Sequence, residues 1–530
     1  MEVATGGSGR YYTMLTVVLI VALHAILAFG TLSGVLLDAS IIEGTGLSAE
    51  QVAVGNSLVF FGWIPGAIIG GPLGDRIGRR EAAVAFALLA SAGQCATGLV
   101  PVGGGAALLA ARGLTGIGIG GFVAPSFTLL VESSEPSRKG AASVAWTWGY
   151  VAGVVLLCGL HLGMSTAGVG WRAEEVALGA WGATFSAATL LFVTESPAYL
   201  LASGATFDAL ESARRIARWN GVDLDASLET EAALEPLRRA FEQCALVEEL
   251  ELAVPVPAAG LAAGPAAAGP AAASMMAAAS VTATSAAAAA PAEQQPSSGR
   301  EAADASTAGA SLADLAAVEE ACTPLEETYE WNELFTSERL PLTLTFGVME
   351  AAYNMAFYTI IFAAGKLSDQ LLLNLVLLAA ADLPGSTLAG VSSDKIGAQK
   401  TAFRFLGAAA LVLIAFAGFE GWLASGPPAA EQSDLAWLLE LTPAALSLLG
   451  KSLCSGAFTA IFLLFNECYP VKLRSAALGA GMFFGKFGAS CAAPLTTSLP
   501  LLGALGISGG LLMAASAGAS TLPESRVKGE

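Results

Sequence analysis

A few charged and polar residues stand inside long apolar runs, where an unpaired charge in lipid costs several kcal/mol. Glu350 lies about 11 residues into the run 340–363, near its middle at a helical rise of ~1.5 Å per residue. Lys486 lies about as deep in the run 473–497. Asn354 falls one helical turn beyond Glu350 on the same face, with Tyr353 beside it. Lys451 stands in the outer half of 437–466, and Asp382, followed by Pro384, in the inner half of 370–391. Such groups can bind a polar solute, and a desolvated carboxyl such as Glu350 can load and release a proton. Alternatively, Glu350 and Lys486 form a structural ion pair. Arg112, a few residues inside the outer end of 106–131, either snorkels to the interface or faces a cavity.

Other chemistries find no support. The seven cysteines are scattered without a C-x-x-C spacing, and five of them fall in or at the ends of apolar runs, where a thiol behaves as a small hydrophobe. Two histidines, His24 and His161, are too few for a metal cluster. No nucleophile–base constellation is visible, and the Gly-rich stretches lie within apolar runs rather than at strand–helix turns. The expectation is no enzyme, no cofactor and no metal. A net charge of −19 would repel a nucleic-acid backbone.

The elements that must hold these residues follow from composition. The 530 residues are 55% hydrophobic and only 13% charged, about half the charge of an ordinary soluble domain, with a mean hydropathy of +0.65. Runs of ~20 apolar residues recur six times before a central acidic segment and six times after it. The reading is an all-α protein of twelve transmembrane helices. Residues 1–194 form an N-terminal six-helix bundle, 195–338 a central loop and 339–530 a C-terminal six-helix bundle. Lysine and arginine cluster in the loops after spans 2, 4, 8 and 10, which places both termini and the central loop in the cytoplasm. The stretch Glu195–Glu338 holds 23 acidic and 6 basic residues, so nearly all the excess charge sits there. Glu195–Asn220 and Glu229–Leu252 read as amphipathic helices outside the bilayer, and 253–310 as a disordered Ala/Pro-rich insert.

The two halves echo each other. GPLGDRIGRR, Gly71 to Arg80, follows span 2, and GVSSDKIGAQ, Gly390 to Gln399, follows span 8. Glu132, Arg138 and the small residues after it return as Glu467, Arg474 and Ser475 to Ala477. Glu195-Ser-Pro closes span 6, and Leu522-Pro-Glu-Ser closes span 12. Asp75 to Asp394, Glu132 to Glu467 and Glu195 to Glu524 are offsets of 319, 335 and 329 residues. Three motifs returning in order at nearly one spacing define a duplicated six-span unit. Asp75, set among Gly71, Gly74 and Gly78, can accept from a neighbouring helix N-terminus and pair with nearby arginines, latching one half to the other. The plain alternative is positive-inside anchoring by Arg76, Arg79 and Arg80.

These residues resemble the major facilitator superfamily of secondary transporters. Gly71, Leu73, Asp75, Arg76, Gly78, Arg79 and Arg80 match its signature between spans 2 and 3, and Arg112 with Gly116, Gly118 and Gly120 resembles its span-4 motif. Glu195-Ser196-Pro197 is similar to the run after span 6 in sugar porters and organic-ion transporters. Gly450-Lys451 through Glu467 to Arg474 resembles span 10 of the organic cation/anion and synaptic-vesicle-2-related branch. The second signature departs at Ala398-Gln399, where paired arginines would stand. The resemblance implies alternating-access transport of a small organic solute across a plasma membrane or endomembrane, with a coupling proton or ion. The basic character of Lys451 and Lys486 leans towards an organic anion or zwitterion; a sugar, an organic cation, or a non-transporting sensor or scaffold are the alternatives.

Overall fold

A computed structural model describes residues 9–134, 138–224, 331–363, 371–425 and 429–522. The second amphipathic stretch, the Ala/Pro-rich tract, Pro136, Lys366 and Glu524-Ser525 lie outside the described residues. The first transmembrane segment is built from α1 (Arg10–Leu15), a π-helical stretch (Thr16–Leu23) and α2 (Ala25–Thr45). It is followed by α3 (Ala49–Ile77), α4 (Arg79–Gly98), α5 (Gly105–Glu132), α6 (Lys139–Thr166) and α7 (Trp171–Phe192). Short helices α8 (Pro197–Ala202) and α9 (Thr206–Asn220) lead towards the central loop. A 3₁₀ turn, Trp331–Phe335, precedes α10 (Leu340–Ala363), α11 (Leu371–Ala380), α12 (Asp382–Ile396) and α13 (Ala398–Ala424). α14 (Ala429–Cys468), α15 (Arg474–Ser498) and α16 (Leu501–Ser520) complete the second half. Among the described residues nine helical runs are long and apolar enough to cross a bilayer; α4, α10 and α15 bring the total to twelve segments.

Local sequence explains the breaks. α3 starts at a capping box, in which Gln51 N donates to Ser48 Oγ at 3.2 Å and Ser48 N to Gln51 Oε1 at 3.0 Å. Gly78 and Gly397 turn the chain at equivalent places in the two halves with φ of +109° and +89°, values that a side chain rarely tolerates. The eighth span is not one continuous helix over 370–391. It breaks at Ala381 and runs on to Ile396, because Pro384 has no N–H and its ring would clash with the carbonyl of Ala380. The charged stretch after Glu195 likewise divides into α8 and α9 around Gly204, and α9 buries Ala209, Leu210, Ala213 and Ile216 against the bundle end.

Within the first half, α3 and α5 touch backbone to backbone. A Cβ at Gly116 would lie 2.2 Å from the Val59 carbonyl oxygen, and one at Gly120 the same distance from that of Trp63. Between the halves, α3 packs on α15, and α6 packs on α12 and α14. Phe127 on α5 meets Phe462 on α14 edge to face, with ring centroids 5.1 Å apart.

Candidate functional site

Three buried charges, Glu350, Asp382 and Lys451, and the half-buried Lys486 lie partway along the helices of the second half. Glu350 on α10 is held by Asn354, whose Nδ2 donates to the Glu350 carbonyl at 3.0 Å and to Oε2 at 3.2 Å. α15 approaches this pair because residue 485 is glycine; a Cβ there would lie 2.9 Å from Glu350 Oε2 and 2.5 Å from Asn354 Nδ2. The other carboxylate oxygen, Oε1, is buried without a hydrogen-bond partner. Tyr353, beside Asn354, packs on Phe458, with ring centroids 5.7 Å apart.

Lys486 does not make the ion pair with Glu350 considered above. The two charges act on each other through space. The ammonium instead sits 3.9 Å from the centroid of Trp63, on α3 of the opposite half, and 5.7 Å from that of Tyr358. A cation over an indole face is attracted by the ring quadrupole and still leaves its N–H bonds available. Lys451 on α14 pairs with Asp382 on α12 at 2.5 Å and lies 4.5 Å above the Phe357 ring. Asp382, placed from sequence in the inner half of its span, and Lys451, placed in the outer half of its own, therefore meet.

Arg112 neither snorkels nor reaches the mid-membrane groups. It is fully buried inside the first half, where Nη2 meets Glu175 Oε1 at 3.0 Å and Nη1 donates to Ser33 Oγ at 3.2 Å. Gln94 Nε2 donates to the same serine at 2.9 Å and to the second oxygen of Glu175. A carboxylate on α7 removes the reason to snorkel. Glu175 and Gln94 were not singled out from sequence; the signal was a second carboxylate just inside a span start, which an edge position disguised.

At the cytoplasmic end the halves meet through carboxylates at helix N-termini. Asp75 Oδ2 accepts from the backbone N–H of Ala476, in the first turn of α15, at 2.7 Å. Asp394 Oδ1 accepts from Gly140 N, in the first turn of α6, also at 2.7 Å. Both use the positive end of a helix dipole. Close approach is required at each: a Cβ at Gly71 would lie 2.3 Å from the Ser475 carbonyl, and one at Gly140 would lie 2.2 Å from that of Gly390.

The first copy is reinforced. Arg79, fully buried, meets Asp75 at 3.0 Å and Glu132 at 3.5 Å, donates to the Val471 carbonyl at 2.5 Å and lies 4.1 Å from the centroid of the Tyr199 ring. Arg474 joins Glu132 from the other half at 3.3 Å. Arg76 is exposed and offers its carbonyl to the Tyr199 hydroxyl at 3.0 Å, while Leu73 packs half-buried at the core edge. In the second copy Ala398 replaces Arg79, and Glu467, the echo of Glu132, is exposed, as is Arg138. Gln399 keeps the other task of the paired arginines. It donates to the Ala519, Ser520 and Leu522 carbonyls at the end of α16, much as Arg80 donates to Val193 at the end of α7.

Glu195, beyond the end of α7, accepts from Arg80 N at 2.9 Å and Ser196 N at 2.6 Å. Burial, and a hydrogen bond to the neighbouring Glu81 carboxyl, push its carboxyl up to about 8. The Glu195 and Glu81 carboxyls both lie against Gly78.

Comparisons with known proteins agree with this architecture. Residues 9–245 match the family model "Sugar (and other) transporter". The chain is similar to Organic cation/carnitine transporter 4 of Arabidopsis thaliana (26% identity over 34% of this chain and 33% of that one). It is also similar to Solute carrier family 22 member 15 of Xenopus tropicalis (29% identity, 30% of each chain) and to the Arabinose-proton symporter of Bacillus subtilis strain 168 (29% identity, 30% and 35%). The chain spans about a third of the length of these curated relatives. Likeness to solved structures extends over 98% of the chain. The major facilitator proton:xylose symporter XylE bound to 6-bromo-6-deoxy-D-glucose matches 98% of this chain and 97% of its own at a TM-score of 0.63 and 15% identity. A partially occluded inward-open form of XylE from E. coli matches at a TM-score of 0.54. The chain is an integral, multi-pass membrane protein of the major facilitator fold, and the superfamily resemblance carried by its sequence motifs extends to its architecture.

Proposed function

We propose that the chain is a secondary active transporter that moves a small organic solute by alternating access. The observation that carries this reading is the pairing of a closed cytoplasmic seam with unsatisfied charged groups at mid-membrane. The seam is held by hydrogen bonds from helix N-termini to Asp75 and Asp394 and by the Arg79–Glu132–Arg474 cluster. Each charge-assisted bond contributes about 1.5–3 kcal/mol, enough to hold one state and weak enough to break in every cycle. Above it, Lys486 and Glu350 lie on helices α15 and α10, and Lys486 reaches across to Trp63, so a solute bound there would touch both halves. Rocking about that level exposes it to one side and then the other.

Lys486 favours an anionic or zwitterionic solute, whereas Lys451 is already paired with Asp382. Glu350 has one oxygen without a partner and is the candidate carrier of a coupling proton. A second reading, a sugar, is favoured by Asn354 and Tyr353 in the same region and by the sugar-named relatives. The Glu195-containing end, the first signature and its second copy are assigned to gating. The test is uptake into proteoliposomes from a mixed pool of organic anions, cations and sugars, with and without a pH gradient. Accumulation of one class that an inward-acid or outward-acid gradient alters is expected. No uptake of any class by protein whose cysteine-labelling pattern never alternates would overturn the reading.

A further inference from the structure

Two buried groups between α3, α10 and α15 lack partners that their chemistry calls for, and a half-buried ammonium stands beside them. The Trp63 indole N–H is a donor with no acceptor, although the residue is only 8% exposed. Glu350 Oε1 is an acceptor with no donor on a residue 1% exposed. The Lys486 ammonium makes no hydrogen bond to a side chain or carbonyl among the described residues and rests on the Trp63 face. Native interiors satisfy almost every buried polar group, so a lone donor and a lone acceptor beside an ammonium without an ion-pair partner mark a place where partners come from outside the chain. The groups also differ in sign. Two donors, one of them cationic, stand on one side, and an acceptor held in place by Asn354 and abutting Gly485, the neighbour of Lys486, stands on the other.

We infer that the solute is a small carboxylate that also carries a hydrogen-bond donor, an ammonium or a hydroxyl, with the carboxylate taken by Lys486 and the Trp63 N–H and the donor by Glu350. This rests on the transport reading above and adds to it the chemistry of both ends of the solute. It also makes Trp63, a residue of the first half, a specificity-determining group: the carboxylate draws Lys486 off the indole face and binds the indole edge, so filling the site changes a contact between the halves.

Butyrate, 3-hydroxybutyrate, 4-aminobutyrate and tetramethylammonium form a matched set of probes. Binding to the purified full-length chain is read by tryptophan fluorescence and by competition for uptake in proteoliposomes. At least one of the two donor-bearing carboxylates is expected to bind about tenfold more tightly than butyrate, the size of one satisfied hydrogen bond to a charged group. Trp63→Phe should weaken every carboxylate and abolish the fluorescence change. Glu350→Leu should remove the advantage of the donor-bearing pair over butyrate. Equal binding of butyrate and both donor-bearing probes, or undiminished carboxylate affinity in Trp63→Phe, overturns the inference. So does uptake of tetramethylammonium or a pentose with no competition from any carboxylate, a result that leaves the transporter reading standing.

Discussion

At the scale of single residues, the most consequential pair outside the mid-membrane groups is Arg112 with Glu175. Both side chains are wholly buried, so removing one partner strands the other charge, at a cost of roughly 3–5 kcal/mol. Arg112→Ala and Glu175→Ala should each lower the apparent melting temperature in detergent. The double replacement Arg112→Met with Glu175→Leu should be more stable than either single change, and a double mutant no better than the singles would contradict the pairing. Glu195 gives a pH dependence of known sign. Burial and the neighbouring Glu81 carboxyl push its carboxyl from 4.5 up to about 8, so the folded state binds the proton more tightly between those values. That stabilisation is complete below about 4.5 and lost as the pH rises through about 8. Thermal unfolding followed from pH 5 to 9 should show stability falling in the parent and a flatter profile in Glu195→Gln. Sequence made these charges conspicuous, since a carboxylate or guanidinium in an apolar run is rare. It did not reveal their partners: Arg112 and Glu175 lie 63 positions apart and Lys451 and Asp382 lie 69 apart, and only the packing of helices brings them together.

At the scale of elements, the latch is formed by helix ends. Asp75→Asn keeps an acceptor for Ala476 N but removes the charge that favours the α15 N-terminus and the partner of Arg79. Turnover should drop severely with membrane abundance unchanged. Asp394→Asn should be milder, because Ala398 offers no guanidinium to strand. Parent-like transport by Asp75→Asn would reduce the Gly71–Arg80 loop to an anchor. Gly140→Val tests the seam by volume: the added atoms have no room beside the Gly390 carbonyl and Asp394 Oδ1. A cysteine placed at Ser143, buried against the Thr459 carbonyl, should become more reactive to aqueous thiol reagents in that background. The helix count and both copies of the signature were legible from apolar length and glycine spacing. The break at Ala381 was harder to see, because apolar residues on both sides of Pro384 read as one run until the clash with Ala380 is considered.

At the scale of the molecule, the described residues of the two halves belong to one compact unit. The sequence echoes that define the duplication all lie outside 253–310, so deletion of that tract should leave transport within about twofold of the parent. Loss of transport at normal membrane abundance would assign the tract a role in the cycle. The latch between the halves has a consequence for heredity. Two of its bonds are donated by the backbone of Ala476 and Gly140, and every amino acid except proline has that N–H to give. A change at Asp75 or Asp394 therefore cannot be answered by a compensating side chain across the seam. Lineages should record these contacts as invariant positions and not as correlated pairs, with Glu132 and Arg474 the exception. Covariation across an alignment would then reconstruct each half well while leaving the closed state nearly invisible.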